Sequence, residues 1–153
     1  MPEITERVAM EIARKLIQKH EGFRERVYVD TVGVPTGGWG HAFLPNSWLP
    51  TYIWELIFEE DFAIARRDAE HLMIDYDIPH PGLPRKLVLI DMAFNLGYYK
   101  LKRFKRMFTS LKEKNYKQAA KQMLESKWAT QVGTRAKALS HIMETGNYPN
   151  VNN

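Results

Sequence analysis

Apolar residues recur at helical spacing in the first stretch of the chain, where Val8, Ile12, Leu16 and Ile17 form a stripe among Glu6, Arg7, Glu11, Arg14, Lys15 and Lys19. The pattern predicts a helix over residues 1–20, with Thr5 placed to cap it and Gly22, just past Glu21, as the residue that stops it. The period then shortens. Residues 26–30 (RVYVD) and 34–39 (VPTGGW) are strand-like and joined through Thr31, Val32 and Gly33, which predicts a hairpin over 27–39 with Gly33 at positive φ. Asp30 ends the first strand in a polar turn, and Thr36 is expected opposite it on the second. Residues 43–50 contain Pro45, Asn46 and Pro50 and read as loop, so little sheet is expected beyond the hairpin.

Helical spacing resumes at Thr51 and persists to about Asp75, with a stripe of Ile53, Ile57, Ile64, Ala65 and Leu72. Asp61 and Asp68 fall inside that stripe, and a carboxylate on a buried face requires a partner. For Asp68, an edge position beside Arg66 and Arg67 would suffice. Pro84 is expected to open the next helix at its first position. That helix, residues 85–96, is apolar on nearly all sides, ends at Gly97 and therefore belongs at the centre of a helical lobe. Asp91 and Asn95 are its polar exceptions, and buried groups of this kind are usually hydrogen-bonded structural residues. Residues 98–114 carry Leu101, Phe104, Phe108 and Leu111 among cations. Asn115 caps a helix that turns Tyr116, Ala119, Ala120, Met123 and Leu124 inward, a last helix over 134–144 is closed by Gly146, and 147–153 form a loose tail.

The 153 residues suit one domain able to bury a core. Cysteine is absent, so stability does not depend on redox compartment. No stretch resembles a signal peptide or membrane span, which predicts a protein made in the cytoplasm with no stable membrane association. Charge is uneven: residues 1–99 hold 10 Lys and Arg against 15 Asp and Glu, a net of −5, while residues 100–153 hold 12 against 3, a net of +9. A basic C-terminal half favours an anionic polymer, whether cell wall, lipopolysaccharide or nucleic acid.

The chemistry concentrates in residues 21–41. A helix C-terminus and burial against Phe23 both favour a protonated carboxyl at Glu21, while the polar turn keeps Asp30 charged. One carboxyl held neutral and one held charged is the arrangement that glycosidic bond cleavage uses. No histidine pair has metal-ligand spacing, and the glycines at 37, 38 and 40 are not followed by the Lys-Ser or Lys-Thr of a phosphate loop, so neither metal nor cofactor is implied.

The ordered set Glu21, Asp30, Thr36 and His41, with Gly38 and Gly40 between the last two, resembles the signature of the phage-type lysozymes, glycoside hydrolase family 24. Gly37 stands where the family usually has isoleucine and takes a side chain out of the small lobe. The resemblance continues through residues 92–97 (MAFNLG), similar to the family's buried helix ending in an amide and glycine. It extends to Trp128, Arg135, Ala136 and Lys137, which match a W-x6-R-A-K segment. The resemblance implies an α+β, mainly α, two-lobed lysozyme-like fold. A small β-hairpin lobe (about 21–60) and a helical lobe (about 61–146 plus the N-terminal helix) would be joined by a long helix.

It further implies Glu21, Asp30 and Thr36 as catalytic residues, Phe94, Asn95 and Arg135 as binding or supporting residues, with Arg135 paired to Glu21, and His41 with Asp61 as a largely buried structural pair. The implied activity is that of an endolysin, an N-acetylmuramidase acting as a monomer on peptidoglycan, with a holin as the partner for release across the membrane and no nucleic-acid partner. A lytic transglycosylase would use Glu21 without needing Asp30 or Thr36. A non-catalytic binder of wall polymer or nucleic acid would use the basic half with Tyr98, Tyr99, Phe104 and Phe108 exposed; the competing reading is a solvated basic face with those rings in the core.

Overall fold

A computed structural model describes residues 5–43 and 48–149. Along the chain run α1 (Glu6–Glu21), β1 (Arg24–Val29), β2 (Pro35–Gly38), β3 (His41–Ala42), α2 (Thr51–Asp75), α3 (Leu83–Leu101), α4 (Lys105–Lys112), α5 (Tyr116–Leu124), α6 (Lys127–Val132) and α7 (Thr134–Thr145). The fold is α+β and mainly α, as expected.

Thr5 caps α1 by accepting from the Val8 N–H at 3.5 Å, and Gly22 ends it at φ 66°. The buried face differs from the expected stripe. Ala9, Met10, Ala13, Leu16 and Ile17 point inward, while Val8 is 42% exposed. Ala9 and Ala13 carry nothing beyond Cβ, so α1 can lie close along α3 through them, a role that bulk-weighted periodicity does not register.

The same rotation affects α2, whose buried residues are Trp54, Phe58, Phe62, Ala65, Ala69 and Leu72. Ile64 is exposed, and Asp61 and Asp68 sit half-buried at the edge of this face. α3 is the core. Residues Leu87 to Ala93 are all 2% exposed or less. Pro84 occupies the second helical position, after Leu83, because Gly82 is the cap. Gly97 (φ 71°, ψ 165°) breaks the helix, and the N–H of Tyr98, which starts the resumed turn, donates to Asp68 at 3.1 Å. Asp68 is thus partnered by backbone rather than by Arg66 or Arg67.

In the C-terminal region, Asn115 caps α5 as expected, but Leu124 faces solvent. α6 has no counterpart in the hydrophobic pattern; it is short, and Ser126 caps it by accepting from Ala129 N at 3.1 Å. Within the expected tail, Tyr148 packs against the core, and residues 150–153 lie outside the described residues.

The sheet is antiparallel in the order β1-β2-β3 and extends past the hairpin. β3 pairs His41 with Gly37 and Ala42 with Thr36, and Trp48 bridges to Arg26. The Pro45 and Asn46 loop signals lie outside the described residues. Gly37 leaves no gap. A Cβ there would come 2.7 Å from the Trp54 ring, and one on Gly38 would come 2.8 Å from it, so the glycines make room for a buried indole. Trp54 Nε1 donates to Glu25 O at 3.2 Å, and Phe43 meets the ring edge-on at 4.5 Å. A second aromatic series, Phe23, Trp39, Phe58 and Phe94, connects sheet to helices at centroid spacings of 4.9, 5.3 and 5.7 Å. No helix among the described residues is long and apolar enough to cross a membrane.

An ionic clamp fastens α1, α2 and α3 on the far side. Lys86 lies 3.1 Å from Glu6 and 2.8 Å from Glu70, and Arg66 lies 2.9 and 3.1 Å from the same two carboxylates. Burial raises the Glu70 carboxyl, but hydrogen bonds from Lys86 and Arg66 outweigh it and hold the group below its ordinary value of 4.5. A depressed carboxyl contributes stability above its unfolded value and loses it as pH falls through the folded one. Glu70→Gln should therefore cost about 1 kcal/mol or less at neutral pH, because the pair is partly exposed. That deficit should vanish in acid below the folded Glu70 value. Denaturant unfolding of parent and variant across pH checks this; a deficit that is the same at every pH would remove Glu70 from the acid limb.

Candidate active site

Glu21 is the last residue of α1, so its side chain leaves a helix end just before Gly22 turns the chain into β1. Phe23, expected beside it, packs on Trp39. The partner of the carboxyl is Arg135, from the first turn of α7, whose Nη1 donates to Glu21 Oε1. Gly40 walls the other side: with φ 78° it suits glycine, and a Cβ there would lie 2.6 Å from Glu21 Oε2.

Arg135 is buried and holds a second carboxylate, its Nε donating to Asp91 Oδ1 at 2.8 Å. The other oxygen of Asp91 lies 3.0 Å from His20 Nδ1. Burial works against the guanidinium charge, and the charges of Asp91 and Glu21 more than restore it, raising its value. Gly40 belongs to the signature in the sequence, whereas His20 and Asp91 are site residues that no local pattern marks. His20 had no spacing pattern to mark it, and Asp91 registered only as a polar exception in an apolar helix.

Asp30 lies one residue past β1. Its Oδ1 accepts from Val32 N at 2.9 Å and Val34 N at 2.8 Å, while its backbone closes the turn through Asp30 N to Val34 O at 2.9 Å and Gly33 N to Asp30 O at 3.1 Å. One carboxyl oxygen thus builds the turn. Oδ2 has no protein hydrogen bond among the described residues. Because the Asp30 turn pairs with Val34, Thr36 lies opposite Tyr28 rather than opposite Asp30. Strand alternation still puts Thr36 on the same face as Asp30, two positions along. Thr36 is buried, and its hydroxyl donates to Val34 O at 3.0 Å.

His41 and Asp61 do pair, Nδ1 to Oδ2 at 2.6 Å, but their side chains are 33% and 30% exposed. The expectation of a largely buried pair therefore fails, because Asp61 sits on the edge of the α2 face. Phe94 packs on Phe58, and Asn95 is exposed with its Oδ1 accepting from Trp128 Nε1 at 2.8 Å. Asn95 borders two open spaces. One, about 690 Å³, is shared with Glu21, His20 and Arg135. The other, about 1110 Å³, runs from Thr31 and Val32 at the hairpin tip to Phe104 and Trp128 and is edged by Lys100, Arg103, Lys105, Arg106 and Lys127. Neither space is lined by Asp30 or Thr36; the hairpin reaches the cleft through Thr31, next to Asp30.

The rings of the basic half are largely engaged. Phe108 is buried and stacked on Tyr76 at 4.5 Å, Phe104 meets Trp128, and the Tyr98 hydroxyl donates to Asp75, leaving Tyr99 as the exposed one. That is a solvated basic face with its aromatics mostly turned inward. Among the described residues no three His, Asp or Glu side chains cluster as metal ligands.

A mainly helical body with a small sheet, a glutamate paired to an arginine at a helix end, and an aspartate-built turn facing a cleft define a lysozyme-like protein. A family model for phage lysozyme matches residues 18–142, and the chain belongs to that family. It is 27% identical over 158 aligned residues to the pre-baseplate central spike protein of Enterobacteria phage T4, covering 87% of this chain and 28% of that protein. Two Dictyostelium discoideum proteins named "Probable T4-type lysozyme" 1 and 2 are 29% identical over 93 residues and 24% identical over 161. These alignments cover 60% and 87% of this chain, and 55% and 94% of those proteins. The chain thus spans about a quarter of the spike protein and about half of lysozyme 1.

Given its partial exposure, the His41–Asp61 pair should contribute on the order of 1 kcal/mol, well below the roughly 3–5 kcal/mol lost when one partner of a fully buried pair is removed. His41→Asn and Asp61→Asn should each lower unfolding free energy by that smaller amount in urea. Losses near the larger range would restore the buried-pair picture.

Proposed function

We propose that the protein is a lysozyme of the N-acetylmuramidase type, hydrolysing the β-1,4 bond between N-acetylmuramic acid and N-acetylglucosamine in peptidoglycan. The observation that carries this reading is the pairing of Glu21 with Arg135 at the end of α1, on the helical side, against a hairpin turn built by Asp30. Family membership and the names of the Dictyostelium discoideum relatives support it.

In the reaction, a protonated Glu21 gives its proton to the glycosidic oxygen as the bond from the sugar C1 breaks. Oε1 faces Arg135, so Oε2 is the oxygen placed to carry the proton. A water on the opposite face of the ring forms the new bond to C1 and passes its proton to Asp30 through Oδ2. The hydroxyl of Thr36 helps to orient that water. Attack from the opposite face inverts the configuration at C1. Phe94 and Asn95 support the substrate side of the cleft.

The role is that of an endolysin, made in the host cytoplasm, released across the membrane with the help of a holin, and acting as a monomer on the wall. The net charge of +9 over residues 100–153 and the cations around the larger cleft serve as the docking side for an anionic wall.

Glu21→Gln should abolish release of fragments from purified sacculi while leaving the circular dichroism spectrum and unfolding midpoint close to those of the parent. Mass analysis of parental fragments should find ordinary reducing ends. Anhydro ends would select a transglycosylase, and an active Glu21→Gln would remove Glu21 from the acid's role.

Lysis should also weaken as salt rises, since exposed charges are screened over about 8–10 Å at physiological ionic strength. Turbidity clearing measured from low to high salt checks this. A salt-independent rate would mean that the basic half is not a docking surface.

A further inference from the structure

We propose that Asp91 and His20 are positioning residues for Glu21, closing a ring of contacts that runs from Glu21 through Arg135, Asp91 and His20 back to Glu21 along the chain. This rests on the reading of Glu21 as the general acid. The ring joins three elements that are distant in sequence: the last turn of α1, the middle of α3 and the first turn of α7.

Each link has a geometric consequence. Asp91 has no solvent exposure, and both of its oxygens accept, Oδ1 from Arg135 Nε at 2.8 Å and Oδ2 from His20 Nδ1 at 3.0 Å. A carboxylate only accepts, so Nδ1 carries the hydrogen of that contact. Arg135 is gripped at Nε by Asp91 and at Nη1 by Glu21, while its buried Nη2 has no partner among the described residues. These two contacts and the covalent attachment at Cδ together fix the plane of the guanidinium. With Asp91 gone, one point would remain and the group could pivot about its bond to Glu21, taking the carboxyl with it.

His20 acts from the other side. It directly precedes Glu21 in the last turn of α1, so its hold on Asp91 sets the rotation of that turn and the direction in which the Glu21 side chain leaves the helix. Asp91 and His20 touch no reacting atom in this scheme. They fix where the acid stands, and a displacement of about 1 Å in a reacting group can cost about a hundredfold in rate.

The test measures kcat and KM separately on a soluble peptidoglycan fragment for purified full-length variants. Asp91→Asn keeps the volume but cannot accept at both positions, and should lower kcat by about 10- to 100-fold with KM within about twofold. His20→Leu should lower kcat in the same way. His20→Asn should restore most of it, because its side-chain N–H can stand where Nδ1–H stood. Glu70→Gln, in the clamp on the far side, controls for destabilisation and should leave kcat unchanged.

If Glu21→Gln is dead while Asp91→Asn and His20→Leu both keep kcat within about twofold of the parent, the positioning role is wrong and the acid assignment stands. If Glu21→Gln is active, the acid assignment fails and the ring loses its purpose with it. Should Asp91→Asn not fold, the His20 variants decide alone: equal kcat in His20→Leu and His20→Asn overturns the proposal.

Discussion

A carboxylate without solvent contact stands at the centre of the helical body, and much of the site's geometry follows from what must be brought to it. Removing a partner from a buried ion pair costs about 3–5 kcal/mol, so the groups that meet Asp91 are not optional. One comes from α7 as Arg135 and one group comes from α1 as His20. α3 fixes the position of Asp91 because the residues around it, Leu87 to Ala93, are packed on every side. The converging ends of α1 and α7 then carry Glu21 to the edge of the cleft. An interaction deep in the core is in this way transmitted to a group at the surface.

The sheet is organised by different means. Asp30 builds its own turn from local hydrogen bonds, so the hairpin tip needs no support from the helices to hold its shape. Its placement against the helical body relies on ring contacts, from Phe23 through Trp39 and Phe58 to Phe94, and on Trp54 lodged against Gly37 and Gly38. The His41–Asp61 pair adds a polar tie at the rim, short but partly wet. Helix-side groups are therefore set by charge and hairpin-side groups by turn geometry and apolar packing.

What could be read from the residues alone was what depends on near neighbours. Glu21 at a helix end followed by Gly22, the Asp30 turn with Gly33, the span Thr51–Asp75 and the Asn115 cap are all local patterns, and all are present. The buried faces of α1 and α2 lie a fraction of a turn from the bulk-weighted stripes because alanine is ambiguous in such a pattern, and Ala9, Ala13 and Ala69 are fully buried. β3 is two residues long and α6 six, too short for any period to show. The register of Thr36 shifted because the Asp30 side chain closes a tighter turn, which pairs Asp30 with Val34 and moves Thr36 back to Tyr28. His20 and Asp91 stayed hidden for a separate reason: 71 positions separate them, and nothing near either one announces the other.

The indole of Trp54 occupies volume that side chains at positions 37 and 38 would otherwise fill. Ring and glycines consequently share one volume rather than acting as independent sites. A side chain at position 37 would require the indole to move or a smaller residue at position 54, and a smaller residue at 54 alone would leave the small lobe hollow. Changes at the two positions should therefore be non-additive in stability.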